Sequence, residues 1–409
     1  MYNIIMYIMQ LGVCIYSLFN EKVRKMWRGQ RRAVSTIRSK MDPDARYIWF
    51  HAASLGEFEQ GRPLIEEIRQ RWPEYKILLT FFSPSGYEVR KDYPGADIVT
   101  YLPIDTVSNA RRFLRTIRPV MAFFIKYEFW YNYLHILKSR KVPVYSVSSI
   151  FRPDQVFFRS YGKQYGRVLK CFTRFFVQNE ESRSLLSQIG IDAVDVVGDT
   201  RFDRVLQIKQ ASKHLPLVER FVQDAPHVFV AGSSWPPDEE IFTRYFNEHT
   251  NWKLIIAPHV IKDEHLRQIL AMIPQKKAVR YTQASEESVV DADVLIIDCF
   301  GLLSSIYQYG EVAYVGGGFG VGIHNVLEAA VWNMPVIFGP NNLHFQEAQG
   351  LKAMKGGFQI DDYEGFESLM NRFGSDKAYL QTCAEAAGSY VCKLSGATRK
   401  VIDSVADKL

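Results

Sequence analysis

The stretch YIWFHAASLGEFEQGRPLIEEIRQRW, residues 47–72, decides the fold that this sequence predicts. An apolar run over residues 47–53 ends in small residues, and Ser54 and Gly56 then turn the chain. Glu57 opens a segment in which apolar residues recur at helical spacing. A buried strand that is followed at once by an amphipathic helix is the repeating unit of parallel α/β sheets.

The same alternation of short apolar runs and amphipathic segments continues along the chain and restarts near residue 227. Residues 199–225 mix polar residues with prolines and are interpreted as the connection between the two halves. The pattern therefore predicts two doubly wound α/β domains with a cleft between them. The other predicted strands are 76–82, 96–102, 120–125, 142–149 and 174–178 in the first half, and 227–232, 252–258, 276–281, 294–298, 311–317 and 335–340 in the second.

The composition excludes a disordered chain. Of the 409 residues, 47% are hydrophobic and 23% are charged, so the chain can bury a full core. The formal net charge of +6 leaves nucleic acid, an anionic membrane surface and phosphorylated substrates open as partners. The five cysteines form no CxxC pair, which favours a reducing compartment and argues against a disulfide framework or a cysteine-built zinc site.

The first forty residues combine an uncharged apolar segment with a basic one. Residues 1–20 contain no charged side chain, whereas residues 21–40 contain eight Lys or Arg and one Glu. This order excludes a secretory signal peptide, in which the charges precede the apolar run. The length suits a membrane span, although Asn3 and Gln10 make it a marginal one. We predict membrane attachment, spanning or interfacial, with the rest of the chain on the cytoplasmic side; the alternative is a buried amphipathic first helix.

Ligands of doubly wound sheets bind beyond the carboxyl ends of the strands, where several polar residues of this sequence lie. Glu57 lies in the first turn of a predicted helix, and it is either a carboxylate stabilised by the helix dipole or the base of an enzyme. Glu128 follows a strand among aromatic residues, and it is either a buried support or a ligand contact. The charged turn around Arg201 is interpreted by default as an ion-paired surface turn.

Two junctions in the second half carry small or ionisable residues. Gly232, Ser233 and Ser234 precede a predicted helix start, where backbone amides either bind a phosphate or only form an ordinary cap. His259 follows the strand at 252–258 as a lone imidazole, whose role is either structural or catalytic.

A glycine-rich segment after the strand at 311–317 predicts an anion or nucleotide site. Glycines between residues 316 and 322 precede His324 and Asn325, which are expected to open a helix that carries Glu328. Glycines let backbone amides approach an anion closely, and a helix amino terminus favours its charge. The lysine of the phosphate-loop pattern is missing, so this is not a Walker-type ATP site.

Six segments, in order along nearly the whole chain, resemble the 3-deoxy-D-manno-octulosonic acid (Kdo) transferases of lipopolysaccharide synthesis. The elements S-x-G-E and G-x-H-N-x-L-E make the resemblance specific. Two departures from the family pattern are Pro258 beside His259, where the family often has Arg, and Leu302 after Gly301, where it usually has Glu. The six segments are HAASLGEFEQGRPLIEEI, YEFWYNYLHILKSRKVPVYSVSSI, FFVQNEESRSLLSQIG, VVGDTRFD, AGSSWPPDEE and AYVGGGFGVGIHNVLEAAVWNMPVIFGP.

The resemblance implies a B-type glycosyltransferase fold, in which two Rossmann-like domains face a central cleft. It implies a membrane anchor at residues 1–20 and an acceptor-binding domain at 21–205. A donor-binding domain at 206–390 and a helix at 391–409 that packs back on the first domain complete the expected organisation.

The resemblance also implies an activity and the residues that perform it. Family members transfer Kdo from CMP-Kdo to a lipid A precursor, with inversion and without a metal or other cofactor. The expected place is the cytoplasmic face of the inner membrane, with no nucleic acid partner. Glu57 matches the proposed general base and Glu128 a second carboxylate. The predicted donor-binding residues are Gly232, Ser233, Ser234, His259, Gly316, Gly317, His324, Asn325 and Glu328, and the predicted acceptor-binding residues are Arg24, Arg28, Arg31 and Arg201.

Two other classes of function compete with this hypothesis. One is an enzyme of the same fold that uses a UDP-sugar, as a transferase or an epimerase. The other is a non-enzymatic protein whose basic segment binds lipid or nucleic acid, and carboxylates near the predicted cleft argue against a polyanionic ligand there.

Overall fold

The structure, a computed structural model, describes residues 2–159 and 162–409, with the side chains of Lys163 and Gln164 left out. The chain divides into two compact units. Unit 1 comprises Met1–Arg204 together with Ser395–Leu409, and unit 2 comprises Val205–Leu394.

Unit 1 is built on a parallel sheet with the strand order β3-β2-β1-β4-β5-β6-β7. Most strand residues are buried, because helices cover both faces of the sheet. The strands are β1 Arg46–Ala52, β2 Tyr75–Phe81, β3 Ile98–Tyr101, β4 Met121–Ile125, β5 Val144–Ser149, β6 Arg174–Val177 and β7 Val194–Val196. The helices are α1 Tyr2–Tyr16, α2 Glu21–Lys40, α3 Leu55–Arg71, α4 Pro84–Arg90, α5 Val107–Ile117, α6 Tyr131–Ser139, α7 Lys163–Gly166, α8 Glu180–Gln188 and α9 Arg201–Gln210, which continues into unit 2.

Unit 2 repeats the plan with the strand order β10-β11-β9-β8-β12-β13-β14, again parallel. Its strands are β8 His227–Ser234, β9 Trp252–Pro258, β10 Ala278–Arg280, β11 Val294–Ile296, β12 Val312–Val315, β13 Val336–Phe338 and β14 Gly357–Gln359. Its helices are α10 Pro216–Val222, α11 Pro236–Glu248, α12 Asp263–Met272, α13 Glu286–Val290, α14 Leu303–Ile306, α15 Leu327–Ala330, α16 Gln346–Ala353, α17 Tyr363–Ser375 and α18 Lys377–Leu394.

The strand predictions agree with these elements, and two short strands were missed. The strand β7 is interrupted by Asp195, and β14 has Phe358 as its one large apolar residue, so neither forms a recognisable apolar run. Residues 199–225 do connect the two sheets, and the helices α9 and α10 lie in this connection. Phe202 and Val205 are the buried side of α9, and Pro216 occupies the first position of α10, where a proline is tolerated.

Helix α1 belongs to unit 1, and polar residues of the helix form hydrogen bonds with the rest of the unit. Tyr2 donates its hydroxyl hydrogen to Asp105 at 2.7 Å, and Asn132 donates to Asn3 at 2.9 Å. The opposite side of the helix exposes large apolar residues, among them Ile8. Within the described part of the chain, no helix has both the length and the apolar character that crossing a membrane requires.

The last helix of the chain, α19 at Ala397–Val405, belongs to unit 1. Its residues Val401, Ile402 and Val405 are fully buried in the same apolar cluster as Ile65 of α3. Tyr75 of β2 also donates its hydroxyl hydrogen to the carbonyl oxygen of Leu409 at 2.6 Å. Unit 1 is therefore completed by a segment that follows the whole of unit 2 in the sequence.

Candidate active site

Glu57 lies at the carboxyl end of β1, in the first turn of α3. Its Oε2 accepts hydrogen bonds from the backbone N–H of Ser54 at 2.9 Å and from the Ser54 hydroxyl at 3.2 Å. Burial, followed by the negative charge of Glu128, raises the pKa of Glu57, while the bonds from Ser54 and the nearby His51 oppose this shift. Among the described residues, no hydrogen bond reaches Oε1. The carboxylate is thus held by one oxygen and offers the other.

Glu128 lies just beyond the carboxyl end of β4, and two aromatic nitrogens hold it. Its Oε2 lies 2.9 Å from His51 Nε2 and accepts the indole N–H of Trp130 at 2.7 Å. The Glu128 side chain is 11% exposed and the His51 side chain is fully buried. Glu128 is therefore a supported carboxylate with a small exposed fraction, and its role as a ligand contact stays a prediction.

His51 connects Glu128 to the core of the sheet. Its Nδ1 lies 2.9 Å from the hydroxyl oxygen of Thr80 on β2, and that oxygen accepts the indole N–H of Trp49 at 2.8 Å. The sequence analysis did not select His51. The available signal was a histidine inside an otherwise apolar buried strand, since a buried imidazole requires hydrogen-bond partners.

The chain that leads to Glu128 has an unusual backbone. Lys126 has φ of +60° and Ser148, at the end of the neighbouring strand β5, has φ of +54°. Two bonds hold this arrangement: Lys126 N–H donates to Val147 O at 2.9 Å, and the Ser149 hydroxyl donates to Lys126 O at 2.9 Å. Left-handed conformations of residues other than glycine are strained and concentrate at functional sites.

Of the predicted acceptor-binding arginines, Arg24 and Arg201 have partners within unit 1. Arg24 donates to the carbonyl oxygens of Ser17 and Leu18, which caps the carboxyl end of α1. The Nε of Arg201 donates to Asp199 at 2.9 Å, as the default interpretation of an ion-paired turn predicted. Arg28 and Arg31 lie exposed on α2, so these two have the freedom that a phosphate contact requires.

In unit 2, the two serines at the end of β8 differ in backbone conformation and in burial. Ser233 has φ of +53° at a break in the register between β8 and β9. Ser234 is fully buried, and its hydroxyl donates to Glu239 at 2.7 Å. The Ser234 side chain is therefore enclosed by the fold, and donor binding at Ser234 stays a prediction. Gly232 has no room for a Cβ, which would lie 2.0 Å from the hydroxyl of Tyr307.

Hydrogen bonds to β8 and α11 hold the start of the glycine-rich segment. The amide of Gly316 donates to Gly232 O at 3.0 Å, and the amide of Gly317 donates to Asp238 Oδ2 at 2.9 Å. These two amides already have acceptors, and the anion site predicted for the segment stays a prediction. Glycine is required for packing instead: a Cβ on Gly316 would lie 2.3 Å from Ser233 O.

Three rings form a stack beyond the ends of β8, β9 and β12. The rings of Trp235 and His259 have centroids 4.7 Å apart, and those of His259 and His324 lie 4.3 Å apart. Trp235 donates its indole N–H to His324 Nε2 at 3.2 Å, which leaves the ring proton of a neutral His324 on Nδ1. Burial, and then His259, lower the pKa of His324 to about 4, so the ring is neutral at pH 7.

Glu328 is oriented by two donors. Its Oε2 accepts the Ser304 hydroxyl at 2.6 Å, and its Oε1 accepts the side-chain amide of Asn325 at 3.0 Å. The helix α15 begins at Leu327 rather than at His324, because Asn325 Oδ1 accepts the N–H of Leu327 and so ends the loop. Ser304 and Trp235 were missed by the sequence analysis, since only the tertiary fold shows their partners.

Comparison with known proteins identifies the family. Residues 25–204 match the family model of 3-deoxy-D-manno-octulosonic-acid transferase (kdotransferase). The 3-deoxy-D-manno-octulosonic acid transferase of Aquifex aeolicus is 28% identical over 359 residues, 85% of this chain and 92% of the relative. That of Chlamydia muridarum is 25% identical over 354 residues, 82% of this chain and 80% of the relative. The chain thus contains a Kdo transferase domain and is similar to whole Kdo transferases over most of its length.

The Kdo transferase family is a family of glycosyltransferases, so the chain is an enzyme of that class and the resemblance found in the sequence is confirmed. His51, Glu57 and Glu128 lie inside the matched residues 25–204. Among residues 2–159 and 162–409, no three His, Cys, Asp or Glu side chains form a group suited to hold a metal ion.

Solved structures support the fold of this chain. UDP-GlcNAc 2-epimerase from Neisseria meningitidis gives a TM-score of 0.62 at 14% identity, and covers 88% of this chain and 100% of its own. The epimerase from Methanocaldococcus jannaschii gives 0.54 at 16% identity, with 85% and 99% covered. At such identities the similarity concerns the fold alone, and the expected B-type glycosyltransferase fold with two parallel-sheet domains is confirmed.

Proposed function

We propose that the enzyme transfers Kdo from CMP-Kdo to a sugar hydroxyl of a lipid A precursor, with inversion, and that Glu57 is the general base. The observation that supports this role most directly is the arrangement of the Glu57 carboxylate. One oxygen is fixed by Ser54 and the other has no partner among the described residues, at a strand end where ligands of this fold bind.

The proposed reaction requires a general base that accepts the proton of the acceptor hydroxyl. Cytidine monophosphate is a good leaving group, so the donor sugar is already activated. The acceptor hydroxyl loses its proton as it attacks, and a positioned carboxylate accepts that proton. The raised pKa of Glu57 makes it a stronger proton acceptor than an ordinary carboxylate.

Glu128 has a positioning role in this proposal. Its charge contributes to the raised pKa of Glu57, and His51 and Trp130 hold the carboxylate in place. The chain of contacts from Trp49 through Thr80 to His51 resists displacement, because every member is packed in the sheet.

Unit 2 would bind the CMP part of the donor. The exposed His259 would contact the pyrimidine, and the neutral His324 offers its Nδ1–H to a phosphate oxygen. Glu328, oriented by Ser304 and Asn325, would accept hydrogen bonds from ribose hydroxyls. Gly232, Gly316 and Gly317 contribute by leaving space, and the backbone of Ser233 is the remaining candidate contact. No metal or other cofactor is included.

Attachment to the cytoplasmic face of the inner membrane would use the first two helices. Helix α1 exposes Ile4, Ile8, Leu11 and Ile15, which suit the apolar part of a lipid surface. The exposed Arg28 and Arg31 of α2 suit anionic headgroups and the phosphates of the acceptor. Arg201 stays a predicted acceptor contact, and its ion pair with Asp199 would have to open for that role.

The test is the reaction itself. The full chain is incubated with CMP-Kdo and a tetra-acylated lipid A precursor, and the lipid product is weighed by mass spectrometry. The expected result is a product heavier by one or more Kdo residues, with release of CMP that persists in the presence of EDTA. Absence of product, or binding of UDP in clear preference to CMP, would contradict the proposed donor and favour a UDP-sugar enzyme of the same fold.

A further inference from the structure

Unit 1 contains a cavity of about 450 Å³ where α1, α2 and the start of α5 meet, beyond the carboxyl end of β3. Its size lies within the range of small-molecule sites. Its lining includes the arginines Arg31 and Arg112 and the amides of Gln10, Gln30 and Asn109, and the lining residues include no carboxylate. This composition suits an anion that accepts several hydrogen bonds.

Gln30 is the strongest indication that a ligand belongs here. Gln30 is one of the lining residues and is only 4% exposed, yet neither Nε2 nor Oε1 has a hydrogen-bond partner among the described residues. The preceding Gly29 lets α2 approach β3 closely, because a Cβ there would lie 2.2 Å from the ring of Tyr101. An enclosed amide without partners is unfavourable unless a bound polar molecule satisfies it.

The charges around the cavity favour a phosphate. Among the described residues, no carboxylate forms an ion pair with Arg31 or Arg112, and Arg31 lies over the ring of Trp27. The nearest buried acid along the chain, Asp105, already accepts bonds from Tyr2, Asn132 and Tyr133, which partly compensate its charge. The two arginines and the amides of Gln10 and Gln30 thus line the cavity, whereas the Asn109 amide already donates to Gln10 Oε1 and Ile104 O.

The cavity lies near Glu57, at the same edge of the unit 1 sheet. The strand β3 is two strands from β1 in the order β3-β2-β1, and neighbouring strands are about 4.8 Å apart, so their carboxyl ends are separated laterally by roughly 10 Å. The cavity and Glu57 therefore lie along the same edge of the unit 1 sheet. Next to Gln10, which lines the cavity, Leu11 exposes an apolar side chain to solvent. A ligand with a phosphorylated headgroup and an apolar chain would match both surfaces.

We propose that this cavity is a phosphate site for the acceptor, in which Arg31, Arg112 and Gln30 bind a phosphate ester of the lipid headgroup. The assignment to the acceptor rests on the function proposed above. The phosphate chemistry itself is tested without any donor, so that a failure of one proposal is distinguishable from a failure of the other.

The experiment is calorimetric titration of the full chain with glucose 1-phosphate, glucose and inorganic phosphate as separate probes. We expect saturable binding of glucose 1-phosphate, at least 10-fold tighter than that of inorganic phosphate, and no binding of glucose. Arg112→Gln and Gln30→Leu should each weaken glucose 1-phosphate binding at least 5-fold. Arg111→Gln, which removes an exposed arginine of α5 outside the cavity, is the matched control and should bind as wild type.

Several outcomes would overturn the site. Equal affinity for inorganic phosphate and glucose 1-phosphate would contradict a headgroup ligand, and unchanged binding in Arg112→Gln would contradict the cavity. The lipid arm uses phosphatidylcholine vesicles with and without phosphatidic acid. Binding that depends on phosphatidic acid should weaken in Arg112→Gln, and binding that does not weaken would place the lipid contact elsewhere. If the wild-type chain binds glucose 1-phosphate but does not transfer Kdo, the proposed function is contradicted and this site is not.

Discussion

Glu57 and Glu128 are electrostatically coupled across the carboxyl ends of β1 and β4: the negative charge of Glu128 raises the pKa of Glu57. Burial of Glu57 is the larger cause, and the two act in the same direction. Because Glu128 is fixed by His51 and Trp130, its contribution is part of the folded state of unit 1 and needs no substrate.

Replacement of the proposed base is expected to reduce transfer without disturbing the fold. Glu57→Gln retains a side chain that can bond Ser54 but cannot accept the proton, so kcat should fall about 10²–10⁴-fold. Glu67→Gln, which makes the same change on the same helix at an ion pair with Arg71, is the control and should stay near wild type. The measurement is the initial rate of CMP release. A Glu57→Gln enzyme within a few-fold of wild type would exclude this residue as the base.

Removal of the second carboxylate is expected to shift the acid limb of the pH profile. The pKa of Glu57 lies above its ordinary value, and the base acts only when ionised, so kcat/KM should decline as the pH falls through that raised pKa. Glu128→Gln removes one cause of the elevation and should move the limb to lower pH, while burial keeps part of the shift. The profile is measured from pH 4 to 8 under buffers of constant ionic strength. A limb that stays fixed or moves upward would contradict the coupling.

His51 is expected to act through Glu128. His51→Phe removes the contacts to Glu128 and Thr80 and leaves them without their partner, which should destabilise unit 1 by about 1–3 kcal/mol and lower kcat. His51→Gln keeps an amide that can donate to Glu128 and should recover part of kcat. Rates and thermal unfolding are compared for both variants. Equal loss of kcat in the two variants, at equal stability, would indicate that the contact with Glu128 has no part in activity.

His324 is expected to bind the donor as a neutral donor of one hydrogen bond. With its pKa near 4, CMP affinity should show no change from the titration of His324 between pH 5.5 and 8. His324→Phe keeps a ring in the stack but loses the N–H, and should weaken CMP binding about 3- to 10-fold. The exposed His214→Phe is the control. CMP titrations at several pH values make the comparison, and unchanged affinity in His324→Phe would remove this residue from the donor site.

The sequence allowed the sheets to be predicted because buried parallel strands are continuous apolar runs, and local periodicity carries that information. It allowed Glu57 and Glu128 to be selected because both follow such runs directly. His51 escaped because its partners, Thr80 and Glu128, are 29 and 77 residues away in the chain. The occupation of the Gly317 amide escaped for the same reason, since Asp238 lies 79 residues before it.

The helix α19 has a consequence for how the polypeptide is made. The apolar cluster around α3 lacks Val401, Ile402 and Val405 until the ribosome has synthesised all of unit 2. The segment that contains Glu57 and Glu128 is translated first, but the apolar cluster next to it is completed only when α19 has been made. During synthesis, part of the hydrophobic surface of the amino-terminal half therefore stays uncovered until a segment encoded nearly two hundred codons downstream has been translated.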